Sequence, residues 1–157
     1  MSKSDRRLLV QAIQRTFQSI TLPSENEISI GSSLESLNIA KAFSGKKWSE
    51  LPVEFLRYNA SALVFFTDKA FYYYLPAYLI ACITDYKVAD IVPLDVIILL
   101  FPDEKFKDTF ERRIRLFTLE QKRVIREFLL YMDAAHRDDF VKITPHRALH
   151  KYWNQFE

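Results

Sequence analysis

"DKAFYYYLPAYLIACITDY", Asp68 to Tyr86, decides the fold. From Ala70 to Ile83 it holds fourteen consecutive apolar or aromatic residues, with Pro76 in the middle. Thr67 just before it is a helix N-cap residue, and Asp68 suits the positive end of a helix dipole. A helix that is hydrophobic all round is enclosed by other helices. The run is too short to span a bilayer. The stretch therefore predicts a buried central helix from about Asp68 to Tyr86. Pro76 lacks an N–H for the Tyr72 carbonyl, and its ring crowds that turn. A kink is expected there, at a cost of about 3 kcal/mol. Its plain purpose is bending around the core. Its sharper purpose is a small polar pocket beside Tyr72, Tyr73 and Pro76.

Helical patterns surround this run. Leu8, Leu9, Ala12, Ile13 and Phe17 recur at helical spacing, predicting a first helix over about Ser4–Ser19 with Ser4 as its cap. The polar loop Thr21–Ser33 leaves room for a short extended piece at Glu27–Ile30. A short helix from Leu34 ends at Gly45, placed as a C′ residue. Ser49 is expected to cap the next helix, with Pro52 in its first turn. "ADIVPLDVIILLF" predicts another, served by Asp90 or Asp95 and closed by Pro102. Phe106, Phe110, Ile114 and Phe117 define an amphipathic helix. Thr118 and Gln121 form a capping box for the next. Thr144 and Pro145 start the last, whose face is Ala148, Leu149 and Trp153.

The expectation is all-α: a single compact domain, residues 1–157, of about seven helices around a Pro-kinked centre. Composition agrees. The 157 residues contain only two glycines, Gly31 and Gly45, too few for hairpin-rich β folds or a phosphate loop. The single cysteine, Cys82, lies inside the apolar run and reads as a buried thiol of a reducing compartment. With no signal-peptide h-region at the N-terminus, the location expected is cytoplasmic.

Chemical motifs are sparse. His146 and His150 stand four apart on the last helix without a third ligand at sensible spacing, so no metal is expected. Asp138–Asp139 and Asp103–Glu104 read as solvated turn carboxylates rather than an acid–base pair. No nucleophile motif is present, and no cofactor is expected. Net charge is +2, but Lys105–Arg126 holds eight cations against three carboxylates. That basic face, centred on Arg112, Arg113 and Arg115, suits an acidic partner. Its plain reading is two solvated helix faces with pairs such as Glu111–Arg115 and Glu120–Arg123. Phe106, Phe110 and Phe117 lie at core spacing rather than interleaved for base stacking, which disfavours nucleic acid.

"AFSGKKWSELPVEFLRY" (residues 42–58), "ALVFFTDKAFYYYLPAYLIACITDYKVAD" (62–90), "FTLEQKRVIREFL" (117–129) and "RALHKYW" (147–153) together resemble an uncharacterised bacterial domain family. Its signatures are Trp-x-Glu-Leu-Pro, here Trp48 to Pro52, and Tyr-Leu-Pro-Ala-Tyr, here Tyr74 to Tyr78. The resemblance implies a bacterial cytoplasmic protein and brings no activity with it. By analogy of type, small families of this kind serve as immunity proteins. The expected function is non-enzymatic binding of another protein, in its most concrete form a cognate toxin, with no membrane partner. Candidate contacts are Arg112, Arg113, Arg115, Trp48, Asp138 and Asp139, with Trp48 alternatively in the core. The alternatives are a small enzyme using the Pro76 pocket and a helical nucleic-acid-binding module.

Overall fold

A computed structural model describes residues 2–157. Ten α-helices follow one another among the described residues: α1 (Lys3–Phe17), α2 (Leu34–Phe43), α3 (Val53–Tyr58), α4 (Ala62–Phe65), α5 (Asp68–Thr84), α6 (Tyr86–Ala89), α7 (Val92–Leu100), α8 (Lys107–Ile114), α9 (Leu119–His136) and α10 (Pro145–Lys151). Five 3₁₀ turns are interspersed, among them Trp48–Glu50, Glu104–Phe106 and Arg137–Asp139. Eight of the ten match stretches in which the sequence predicts a helix, and α4 and α6 are additional single-turn pieces.

Local chemistry sets the boundaries. Thr67 caps α5, its hydroxyl accepting from the Ala70 N–H at 3.0 Å. Thr118 and Gln121 form the expected capping box of α9. Thr144 caps α10, with Pro145 opening the helix. Gly45 follows α2 with φ of 71°, the left-handed conformation a C′ glycine supplies. At α1 the cap is Ser2 rather than Ser4. Ser2 and Asp5 satisfy each other's backbone N–H groups, which moves the start to Lys3.

Pro52 is not inside a helix begun by Ser49. It occupies the N-cap position of α3, after an extended Leu51. Proline disfavours helical backbone in the residue before it, so a helix cannot run from Ser49 through Leu51. The long apolar helix ends at Thr84, because Asp85 leaves helical geometry at φ −136°, ψ 44°. Asp90 does not lead α7. It is the hinge between α6 and α7, with φ of 55°. Phe106 is exposed rather than at a core position, since it lies in the 3₁₀ turn before α8, outside that helix's spacing.

Helix α5 packs against α1, α3, α6, α7 and α8, and twelve of its seventeen residues are buried. Pro76 lies within it, buried. Cys82, Tyr74 and Tyr78 are wholly enclosed. The hydrophobic core links buried residues from Ile13 to Trp153 in one cluster. Trp153 anchors the C-terminal end by donating its indole N–H to the Leu100 carbonyl at 2.7 Å. The expected extended piece is a single antiparallel bridge, Ser29 to Phe66. No helix among the described residues is long and apolar enough to cross a membrane.

Candidate functional site

The basic segment is largely occupied with holding the fold. Asp68, in the first turn of α5, receives both arginines of α8. Arg112 Nε donates to its Oδ2 at 3.0 Å and Arg113 Nε to its Oδ1 at 3.3 Å. Arg113 also donates to the Phe66 carbonyl and lies 4.2 Å from the Phe71 ring centroid. Only 6% of Arg113 is exposed, so it is a clamp between helices rather than a contact for a partner. Arg126 pairs with Glu127 and Glu157. Neither Glu111–Arg115 nor Glu120–Arg123 forms among the described residues, and Glu111 instead meets Lys107 at 4.0 Å. Arg115 is left exposed.

Trp48 takes its core alternative. It is 7% exposed, and its backbone N–H donates to the Tyr73 hydroxyl at 3.3 Å. The tyrosine hydroxyls of α5 tie the surrounding chain together. Tyr74 donates within 2.9 Å of the Phe43 and Lys46 carbonyls, and Tyr72 accepts from the Gln121 side chain at 3.0 Å. Burial pushes the phenols of Tyr73, Tyr74 and Tyr78 above their ordinary value, so none supplies a ready base. A cleft does lie against α5, but along Ala77, Ile80, Ala81 and Thr84, beyond Pro76. Tyr72, Tyr73 and Pro76 are not among the residues that line it.

The chain's three histidines gather where α9, the Arg137–Asp139 turn and α10 meet. The His136 imidazole stacks on Tyr86. The Tyr86 hydroxyl donates to Asp139 Oδ2 at 2.8 Å, and His136 Nδ1 lies 3.8 Å from the same oxygen. Asp133 accepts two bonds from Arg137, and His146 Nδ1 approaches it to 3.6 Å. The His146 and His150 rings are 4.4 Å apart, centre to centre. Asp138 does not join Asp139. It lines a groove of about 480 Å³ with Asp133, Arg137 and His146. No group of three or more His, Cys, Asp or Glu side chains among the described residues has a metal-holding arrangement.

One surface was missed by the sequence reading. Ile91, the N-cap residue of α7, and Leu94 and Ile98 within the helix fall three and four residues apart and are 49%, 44% and 40% exposed. Asp95 joins the same face by spacing. Its side chain forms no ion pair or hydrogen bond among the described residues, and burial raises its carboxyl above the ordinary value. Tyr58 on α3 is also well exposed, and α3 packs on α6, which leads into α7. The signal was present in "VPLDVIILL": eight of nine residues are apolar, more than one buried face of a helix can absorb.

The chain belongs to a family of unknown function, DUF6714, whose profile matches residues 5–157. No curated protein and no solved structure matches it.

Proposed function

We propose that this chain acts by binding another protein, through the exposed face of α7. The observation that carries the reading is the stripe Ile91, Leu94 and Ile98 with Asp95 inside it. Apolar side chains at this spacing are the anchors by which one helix docks on another surface. Exposed apolar surface of this kind marks interaction sites. A half-desolvated carboxylate without a counter-ion suits a partner that brings a lysine or arginine among apolar residues. Helix α5, bent at Pro76 in this reading, is the central strut that holds α7 in place. The most concrete form of the reading is a cytoplasmic bacterial immunity protein that masks a cognate toxin. That form rests on an analogy of type with small uncharacterised families that serve as immunity proteins, and needs a surface, not a catalytic group.

The proposal moves the contact away from the arginines of α8. Arg113 is buried and Arg112 is shared with Asp68, so the free charge on that face is smaller than the sequence count. A photo-crosslinking residue at Leu94, in the native cell, tests the assignment against the same residue at exposed Gln18. The expected result is one protein captured from Leu94 and not from Gln18, and lost when Ile91→Asp and Ile98→Asp are added. Capture that survives both charged substitutions, or none at Leu94, overturns it. Co-expression of the captured protein then shows whether it is toxic and whether this chain relieves the toxicity.

A further inference from the structure

Two hollows meet on the outer side of α5. The first, about 470 Å³, lies between α1 and the end of α5, with Lys3, Arg6 and Arg7 on its wall and Val10 and Ile83 beside them. The second, about 220 Å³, lies between α5, α3 and the Trp48–Glu50 turn. Its wall carries apolar side chains, among them Trp48, Leu51, Leu56, Ala77 and Ala81, together with a comparable share of polar surface. Gln14 and Thr84 line both, so the two adjoin as chambers of a cleft divided at a polar boundary.

Helical spacing builds this gradient. Lys3, Arg7, Val10 and Gln14 succeed one another three or four residues apart, and so share a face of α1 that changes from cationic to apolar to polar. On α5, Ala77 and Ala81 stand four apart, and their short side chains leave the space that the second chamber occupies. Lys3, Arg6 and Arg7 form no ion pair among the described residues. The nearby carboxylate of Asp5 is engaged by Ser2. Asp85 is the one carboxylate on the cleft wall. It lines only the second chamber, where it accepts from the Thr84 hydroxyl at 2.7 Å.

We propose that this cleft binds a small anionic amphiphile, with a carboxylate or phosphate head at Arg6 and Arg7 and an apolar tail in the chamber beside Trp48 and Ala81. Arginine meets such heads with paired, charge-assisted hydrogen bonds. The tail gains by leaving water, at about 0.8 kcal/mol per buried methylene. Together the chambers match the size of small-ligand sites, roughly 300–1,000 Å³. The site shares no residue with the α7 stripe, and the proposal stands independently of it.

The test uses the full chain, titrated calorimetrically and by amide-resolved NMR with decanoate, decyl phosphate, decanol, butanoate and inorganic phosphate. Decanoate or decyl phosphate is expected to bind at least tenfold tighter than decanol and butanoate, and the tighter of the two names the head group. Shifts should map to α1 and to Ala77–Thr84. The exposed double substitution Arg6→Gln, Arg7→Gln should weaken the anionic probes about tenfold and leave decanol unchanged. Equal binding of decanoate and decanol, binding of inorganic phosphate as tight as that of decyl phosphate, or shifts confined to other helices would each overturn the proposal. So would unchanged affinity in the double variant.

Discussion

The rings of Tyr86 and His136 lie face to face, centroids 3.5 Å apart and planes within 5°. The stack joins the first residue of α6 to the last of α9, fifty residues apart. It covers the imidazole, and burial holds His136 below its ordinary value of 6.5 despite the opposing pull of Asp139. The unfolded chain therefore takes up a proton at higher pH than the folded one. Stability from this group is complete above pH 6.5 and is lost as pH falls through the lowered folded value. Unfolding by urea at a series of pH values between 7.5 and 4.5 should show this loss. His136→Phe keeps a ring on Tyr86 and removes the proton, so its stability should vary less over the same range. An identical pH profile in the variant would refute the assignment.

Arg113 and Arg112 share one carboxylate but differ in burial, and their deletion should separate accordingly. Arg113→Ala leaves Asp68 half-served and the Phe66 carbonyl without its donor. Breaking a buried pair in this way costs about 3 kcal/mol. Arg112→Ala removes a half-exposed partner and should cost less than about 1 kcal/mol. Chemical denaturation of both variants at one pH checks the ranking, and equal costs would contradict it.

Cys82 should be inert in the folded protein. It is fully enclosed, and burial pushes its thiol well above the ordinary value, so thiolate is scarce at neutral pH. A chromogenic disulfide reagent should react at the rate of unfolding and not faster. Rapid, reagent-dependent labelling without denaturant would show that α5 opens.

Asp95→Asn should raise stability slightly at neutral pH and weaken partner binding. The folded carboxyl is raised above 3.8 by burial, so its charge is a liability as pH rises through the folded value, and the two proteins should converge below pH 3.8. The site is partly open to water, so the gain is at most about 1 kcal/mol. Thermal unfolding at pH 7 and pH 3 measures it. A loss of stability at pH 7 would mean that the helix-dipole attraction outweighs desolvation there.

What the sequence determined by itself was local. Thr67, the Thr118–Gln121 box, Thr144–Pro145 and Gly45 satisfy backbone groups within three or four residues, so their roles are readable without the rest of the chain. The all-helical class followed from the same short-range signals, and burial of α5 from its apolar run. Only the tertiary structure decided what each exposed-looking side chain faces. Arg113 and Arg112 are adjacent in sequence, yet one is enclosed by Phe66, Asp68 and Phe71 and the other is half open. Trp48 is covered because α5 lies over it. Ile91, Leu94 and Ile98 are as apolar as their buried neighbours, and nothing within α7 distinguishes them. Burial is set by segments distant in the sequence, whose placement depends on how the helices share one core. A periodicity of 3.6 residues says which side chains share a face of a helix, and only packing says which face meets water.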